Sequence, residues 1–147
     1  MRVTSTSFPA GQAIPDKYSA YGSNVSPQLS WSEAPPGTKT FVLLVEDPDA
    51  PRPTPFVHWL VYNIPVSTTS VNEGQPISGG TQGNNDNGQP AYYGPKPPSG
   101  NHHYHFKVFA VDEALNLNRG AGKDDVMKAI SGHTLAQGEL VGTYAHS

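Results

Sequence analysis

Carboxylates and imidazoles gather at three places in this chain. Glu46-Asp47-Pro48-Asp49-Ala50-Pro51 sets three acids among prolines, His58 follows between Val57 and Trp59, and His102 alternates with Tyr104 in His102-His103-Tyr104-His105-Phe106. Acids at the end of an apolar run must be solvated, paired or functional, because burying an unpaired carboxylate is costly. Pro48 and Pro51 favour a rigid loop that suits a preorganised site. The same residues also suit an Asx-turn, in which Asp47 or Asp49 bonds nearby backbone N–H groups. His58 stands alone among apolar neighbours, where a histidine is more often a satisfied core residue. A His and a Tyr two apart on a strand point the same way, so His102 and Tyr104 could line one pocket wall. If the strands carrying His58 and His102 share a sheet, Asp47, His58 and His102 meet at one edge. Imidazole N–H, tyrosine O–H and backbone N–H donors would then hold a small anion, more tightly below about pH 6.5. Gly94 and Gly100, in the loop before His102, would let backbone approach a ligand.

Other chemistries find less support. His103 and His105 have the i, i+2 spacing that puts two imidazoles on one strand face, as a zinc site can require, but no third ligand is identifiable. A hydrolase using His58 or His102 as a base lacks a Gly-x-Ser-x-Gly nucleophile elbow, and no phosphate-binding P-loop exists. Cys 0 removes disulfides, thiolate metal sites and cysteine nucleophiles. A formal net charge of −3 gives no electrostatic reason to expect a nucleic-acid binder. Trp31, Trp59, Tyr92 and Tyr93 suit a core or pocket lining better than a platform for bases. The expected site is non-catalytic, with no metal and no cofactor.

These residues need elements to position them. Gly and Pro number 15 each in 147 residues, about a fifth of the chain against a usual sum near 12%. Charged residues are only 14% and hydrophobic ones 35%. That balance describes one folded, loop-rich, β-dominated domain spanning 1–147. Thr40 to Glu46 predicts a strand buried on both faces. A second strand runs from about Val57 to Ile64. A third runs from His102 to Val111, with His102, Tyr104, Phe106, Val108 and Ala110 on one face. A final strand spans Glu139 to Tyr144. Pro9, Pro15 and Pro27 limit the N-terminal third to short strands, and 72–98 reads as surface loop. One helix is predicted over Asp124–Ile130, with acids at its start, Val126 and Ile130 at i, i+4, and Gly132 as its stop. The fold class is mainly β, a β-rich α+β arrangement: a large central antiparallel sheet, a smaller sheet, and one or two short helices. Met1 to Ser7 lacks the apolar core of a secretory signal, and the longest apolar runs are far short of a membrane span. A cytoplasmic location without membrane insertion is therefore expected.

The motifs also resemble a known family. Gly22-Ser23-Asn24-Val25-Ser26-Pro27-Gln28-Leu29-Ser30-Trp31, the acidic loop, Phe56 to Pro65, Tyr93 to Gly100 with His102 to Phe106, and Gly132 to Ala136 with Gly142-Thr143-Tyr144 follow one another in order. Together they are similar to the phosphatidylethanolamine-binding protein family, and within it to the bacterial and archaeal Raf kinase inhibitor-like branch. The resemblance implies an anion pocket formed by Asp47, Asp49, His58, Gly94, His102 and Tyr104, with Ala50, Pro51, Phe56 and Pro97 shaping its rim. It implies a cis Ala50–Pro51 bond, binding of phosphate-bearing ligands, and pairing as a homodimer. The alternative it carries is inhibition of a serine protease or kinase through a proline-rich rim or the 72–98 loop. Three departures stand out. Lys96 adds charge at the mouth where relatives often have a small residue or cysteine, His103 replaces a usual arginine, and Phe56 takes a position that is often tryptophan. The short chain, without the C-terminal helix of eukaryotic members, gives no basis for expecting Raf inhibition.

Overall fold

Thr40–Asp47 is buried at all eight positions and forms the middle strand of the larger sheet. The computed structural model describes residues 1–146, so Ser147 lies outside the described residues. In chain order the elements are β1 (Arg2–Thr4), β2 (Leu29–Ser32), β3 (Thr40–Asp47), β4 (Phe56–Pro65), β5 (Ser70–Val71), β6 (Thr81–Gln82), β7 (Gly100–Val111), α1 (Lys123–Ile130) and β8 (Thr134–His146). They make a three-stranded sheet, β1-β2-β5, and a five-stranded sheet, β6-β4-β3-β7-β8, with every paired strand antiparallel. The large and small sheets and the helix stand as expected. The last strand is longer than expected, since it pairs with β7 from Gly100↔His146 to Val111↔Thr134.

Strand periodicity of two explains why β3 is apolar at every position from Phe41 to Val45. Phe41, Leu43 and Val45 enter a core shared with the small sheet, alongside Trp31, Trp59, Tyr104 and Phe106. Val42 and Leu44 enter a second core with Val126 and Ile130 of α1. The large sheet is thus covered on both faces, and the side chains of β3 from Phe41 to Val45 are shut off from water.

β4 breaks this alternation twice. Phe41 pairs with Ile64 and Leu43 with Val61, so two steps on β3 match three on β4. Asn63 takes up the extra residue in a left-handed conformation (φ 53°). Its side chain donates to the Leu115 carbonyl at 2.8 Å and accepts from the Leu115 N–H at 2.6 Å. Further along, Val45 pairs with Trp59 but Glu46 with Val57, leaving His58 as an extra residue. Bulges of this kind re-aim side chains. Here the bulge sends Val57 to the helix-side core and Trp59 to the opposite one.

The acidic loop between β3 and β4 contains no cis bond, so the cis Ala50–Pro51 expectation is corrected. The Arg52 N–H donates to the Ala50 carbonyl at 2.7 Å, closing a γ-turn about Pro51. That seven-membered ring forms only when the Ala50–Pro51 bond is trans.

Candidate functional site

Residues 41, 43, 45 and 47 of β3 share a face with residues 102, 104 and 106 of β7, because Val45 pairs with Phe106. Asp47 therefore ends the row on the face where His102 and Tyr104 begin theirs. Its carboxylate has two tasks. Oδ1 accepts the Asp49 N–H at 2.8 Å, an Asx-turn, while Oδ2 accepts His102 Nδ1–H at 2.6 Å. The Asx-turn and the pairing with His102 thus coexist on one carboxylate.

His58 approaches from β4. Its Nδ1–H donates to the Tyr93 carbonyl at 2.7 Å. The ring lies 5.6 Å from the Tyr93 ring at 7°, and meets Tyr104 edge-on at 5.2 Å. Burial holds the imidazole below its ordinary range, against the opposing pull of the Tyr93 carbonyl and the Asp47 charge. Tyr104 is 1% exposed, and its hydroxyl has no hydrogen-bond partner. Burial, then the Asp47 charge, pushes its phenol far above its ordinary value.

These groups line a cavity of about 170 Å³. Asp47, His58, His102 and Tyr104 supply its polar surface, while Ala50, Pro51, Phe56, Tyr93, Pro97 and Pro98 give apolar walls. Lys96 also lines the pocket. Its ammonium sits 5.8 Å from the Tyr21 ring centroid, and the Tyr21 hydroxyl donates to the Pro97 carbonyl at 2.7 Å, fixing this side of the rim. A buried hydroxyl donor beside a carboxylate-oriented imidazole and a nearby ammonium is suited to an oxyanion of small size.

Two expected residues stand apart from the cavity. Asp49 points the other way, where its Oδ2 accepts both the His103 backbone N–H and Nδ1–H, each at 2.8 Å. Gly94 gives its N–H to Asn24 Oδ1 at 2.7 Å, so that donor is spent within the protein. Glycine is needed there for space, since a Cβ would fall 2.2 Å from the Tyr18 carbonyl oxygen. His103 and His105 are committed to Asp49 and Glu139, and no group of three metal-binding side chains occurs among the described residues. Sequence reasoning missed Asn87 and Pro98 in the lining and Asn24 behind Gly94. Asn87-Gly88 and Gly22-Ser23-Asn24 carry turn signals, but nothing in them says which cavity they border.

The sequence profile of phosphatidylethanolamine-binding proteins matches residues 4–145. The chain belongs to that family. Relatives include a UPF0098 protein of Aquifex aeolicus, 46% identical over 151 residues, covering 98% of this chain and 88% of that one. Another, from Methanothermobacter thermautotrophicus, is 43% identical over 136 residues, covering 89% of each. Among solved structures, a phosphatidylethanolamine-binding protein homolog from Chlamydia trachomatis superimposes with a TM-score of 0.94 at 39% identity, covering 99% of this chain and 97% of that one. YbcL of E. coli, described as a member of the mammalian family, gives 0.93 at 31%, covering 99% and 98%. The family fold is therefore shown along almost all of this chain, pocket strands included. No helix of the described residues is long and apolar enough to cross a membrane.

Proposed function

We propose that this member of the phosphatidylethanolamine-binding protein family is a non-enzymatic, regulatory binder of small phosphate-bearing anions, working in the cytoplasm. The observation that carries the reading is the Tyr104 hydroxyl, buried in the cavity with no protein partner. A buried donor left unmade costs about 1–3 kcal/mol, and a ligand oxygen relieves that cost. Asp47 orients His102, which lines the cavity together with Tyr104. Lys96 adds positive charge at the mouth, and Phe56 with Pro51 and Pro98 receives the organic part of a head group. Asp47 opposes a fully ionised phosphate, so the bound species is a monoanion or sits against a cationic imidazole.

A second reading uses the same rim as a protein-docking surface for a serine protease or kinase, because Pro51, Lys96 and Pro98 stand exposed around the mouth. A homodimer belongs to this proposal as well. The test is a titration with inorganic phosphate and phosphoethanolamine, read by NMR of the histidine ring protons from about pH 5 to 8. Saturable shifts confined to His58 and His102, stronger at low pH, are expected. No shift at either ring removes the anion reading and moves the docking reading to first place.

A further inference from the structure

The two pocket histidines differ in what they can offer a ligand. A carbonyl oxygen only accepts, so the 2.7 Å contact between His58 Nδ1 and the Tyr93 carbonyl requires the proton to be on Nδ1. A neutral His58 therefore presents Nε2 as a bare lone pair. That nitrogen forms no hydrogen bond among the described residues, although the ring lines the cavity. His102 is likewise fixed through Nδ1, but by the side-chain carboxylate of Asp47 and not by backbone. Burial lowers the His58 pKa and so disfavours its cationic form, against the Tyr93 carbonyl and the Asp47 charge, which favour it. The groups around it are Asp47 on the adjacent strand β3, Tyr104 one strand further on β7, Tyr93 on the loop, and the charge of Asp86.

We propose that His58 is a hydrogen-bond acceptor that selects ligands carrying their own acidic hydroxyl. Inorganic phosphate and singly protonated phosphomonoesters are the class that fits. This rests on the anion-pocket reading and specifies it. The P–OH of the ligand donates to His58 Nε2, while its other oxygens accept from Tyr104 and from His102. Sulfate and phosphodiesters have the right shape or charge but no hydroxyl. They set an oxygen lone pair against the His58 lone pair and so forfeit the hydrogen bond that a P–OH makes there. The second ring nitrogen of a histidine is set by the bond the first one makes. Here that bond is to backbone of the loop that builds the rim.

The experiment compares inorganic phosphate, sulfate and dimethyl phosphate by calorimetric titration of the whole protein at about pH 5.5, where inorganic phosphate is a monoanion that keeps its acidic hydroxyls. In parallel, 15N NMR of the free protein reads the two nitrogens of His58. The expected result is phosphate binding about tenfold or more tighter than either competitor, with His58 Nδ1 protonated and Nε2 bare. Equal affinity for all three, or a protonated Nε2, overturns the inference and leaves the anion pocket standing. Failure of all three to bind overturns the anion-pocket reading and the inference with it.

Discussion

His102 and His103 are neighbours on one strand, and each holds an aspartate at or just past the end of β3, yet the two pairs lie on opposite faces of the sheet. The His102–Asp47 side chains are 10% and 4% exposed, and the His103–Asp49 side chains 52% and 42%. The outer face carries more of the same kind. There Glu46 accepts from Lys107 at 2.9 Å and from Lys123 at 2.5 Å, tying β3 to β7 and to the first turn of α1. On that face charges meet charges and serve as tethers. On the inner face one carboxylate orients one imidazole and leaves the rest of the polar surface to a ligand. The difference comes from the surroundings, since the residue types are shared.

Substituting Asp47 should have the largest effect. Asp47→Ala removes both the Asx-turn and the acceptor for His102, at a cost of about 1.5–3 kcal/mol for hydrogen bonds to a charged group. Urea unfolding checks the stability, and phosphate titration of the folded variant should show the anion affinity reduced. Retained affinity would break the division between the faces.

Glu46→Gln comes next, costing about 1–2 kcal/mol, because the two ammoniums are half-buried and can rehydrate. Burial alone would raise the Glu46 carboxyl, but Lys123 and Lys107 together hold it below its ordinary value. A depressed folded value gives stability that is complete above the ordinary carboxylate range and is lost as pH falls through the folded value. The gap between wild type and Glu46→Gln should therefore be full near neutrality and shrink in acid. Chemical denaturation at several pH values reads it, and a gap that grows in acid would contradict the tether.

Asp49→Ala is the smallest, at about 0–1 kcal/mol, as for exposed ion pairs. His103 keeps the Asp49 carboxyl below its usual range, but both groups meet solvent. Raising the salt should erase this loss and leave the Asp47→Ala loss largely intact, because screening acts mainly on exposed charges. Equal salt sensitivity would mean that the inner pair is open to water.

The inner face was legible in the sequence where periodicity governs it. His102, Tyr104 and Phe106 share a side because β7 is regular through them, and the apolar run 40–46 announced a strand covered twice. His58 was legible as a residue type but not in its direction. Alternation would put Val57 and Trp59 on one side, and only the bulge separates them. Proximity groups Asp49 with Asp47, although the single intervening residue, Pro48, suffices to turn it outward. Gly94 was read as a donor to ligand, whereas its N–H is taken by Asn24, a partner 70 residues away that no local pattern reveals. Loop conformation depends on such distant contacts, and period-two reasoning does not reach them.

The pairing of β3 with β7 has a kinetic consequence. Asp47 and His102 are 55 residues apart in the chain, and each doubling of a closed loop adds about 0.6 kcal/mol of entropy to be overcome. The β3–β4 hairpin and the β7–β8 ladder are closed by shorter segments and can form earlier, but each brings only part of the cavity. Competence to bind should therefore appear with the long-range pairing of these two halves, on the slow timescale of proteins dominated by non-local strand contacts. A ligand present during refolding would meet its site only after that step.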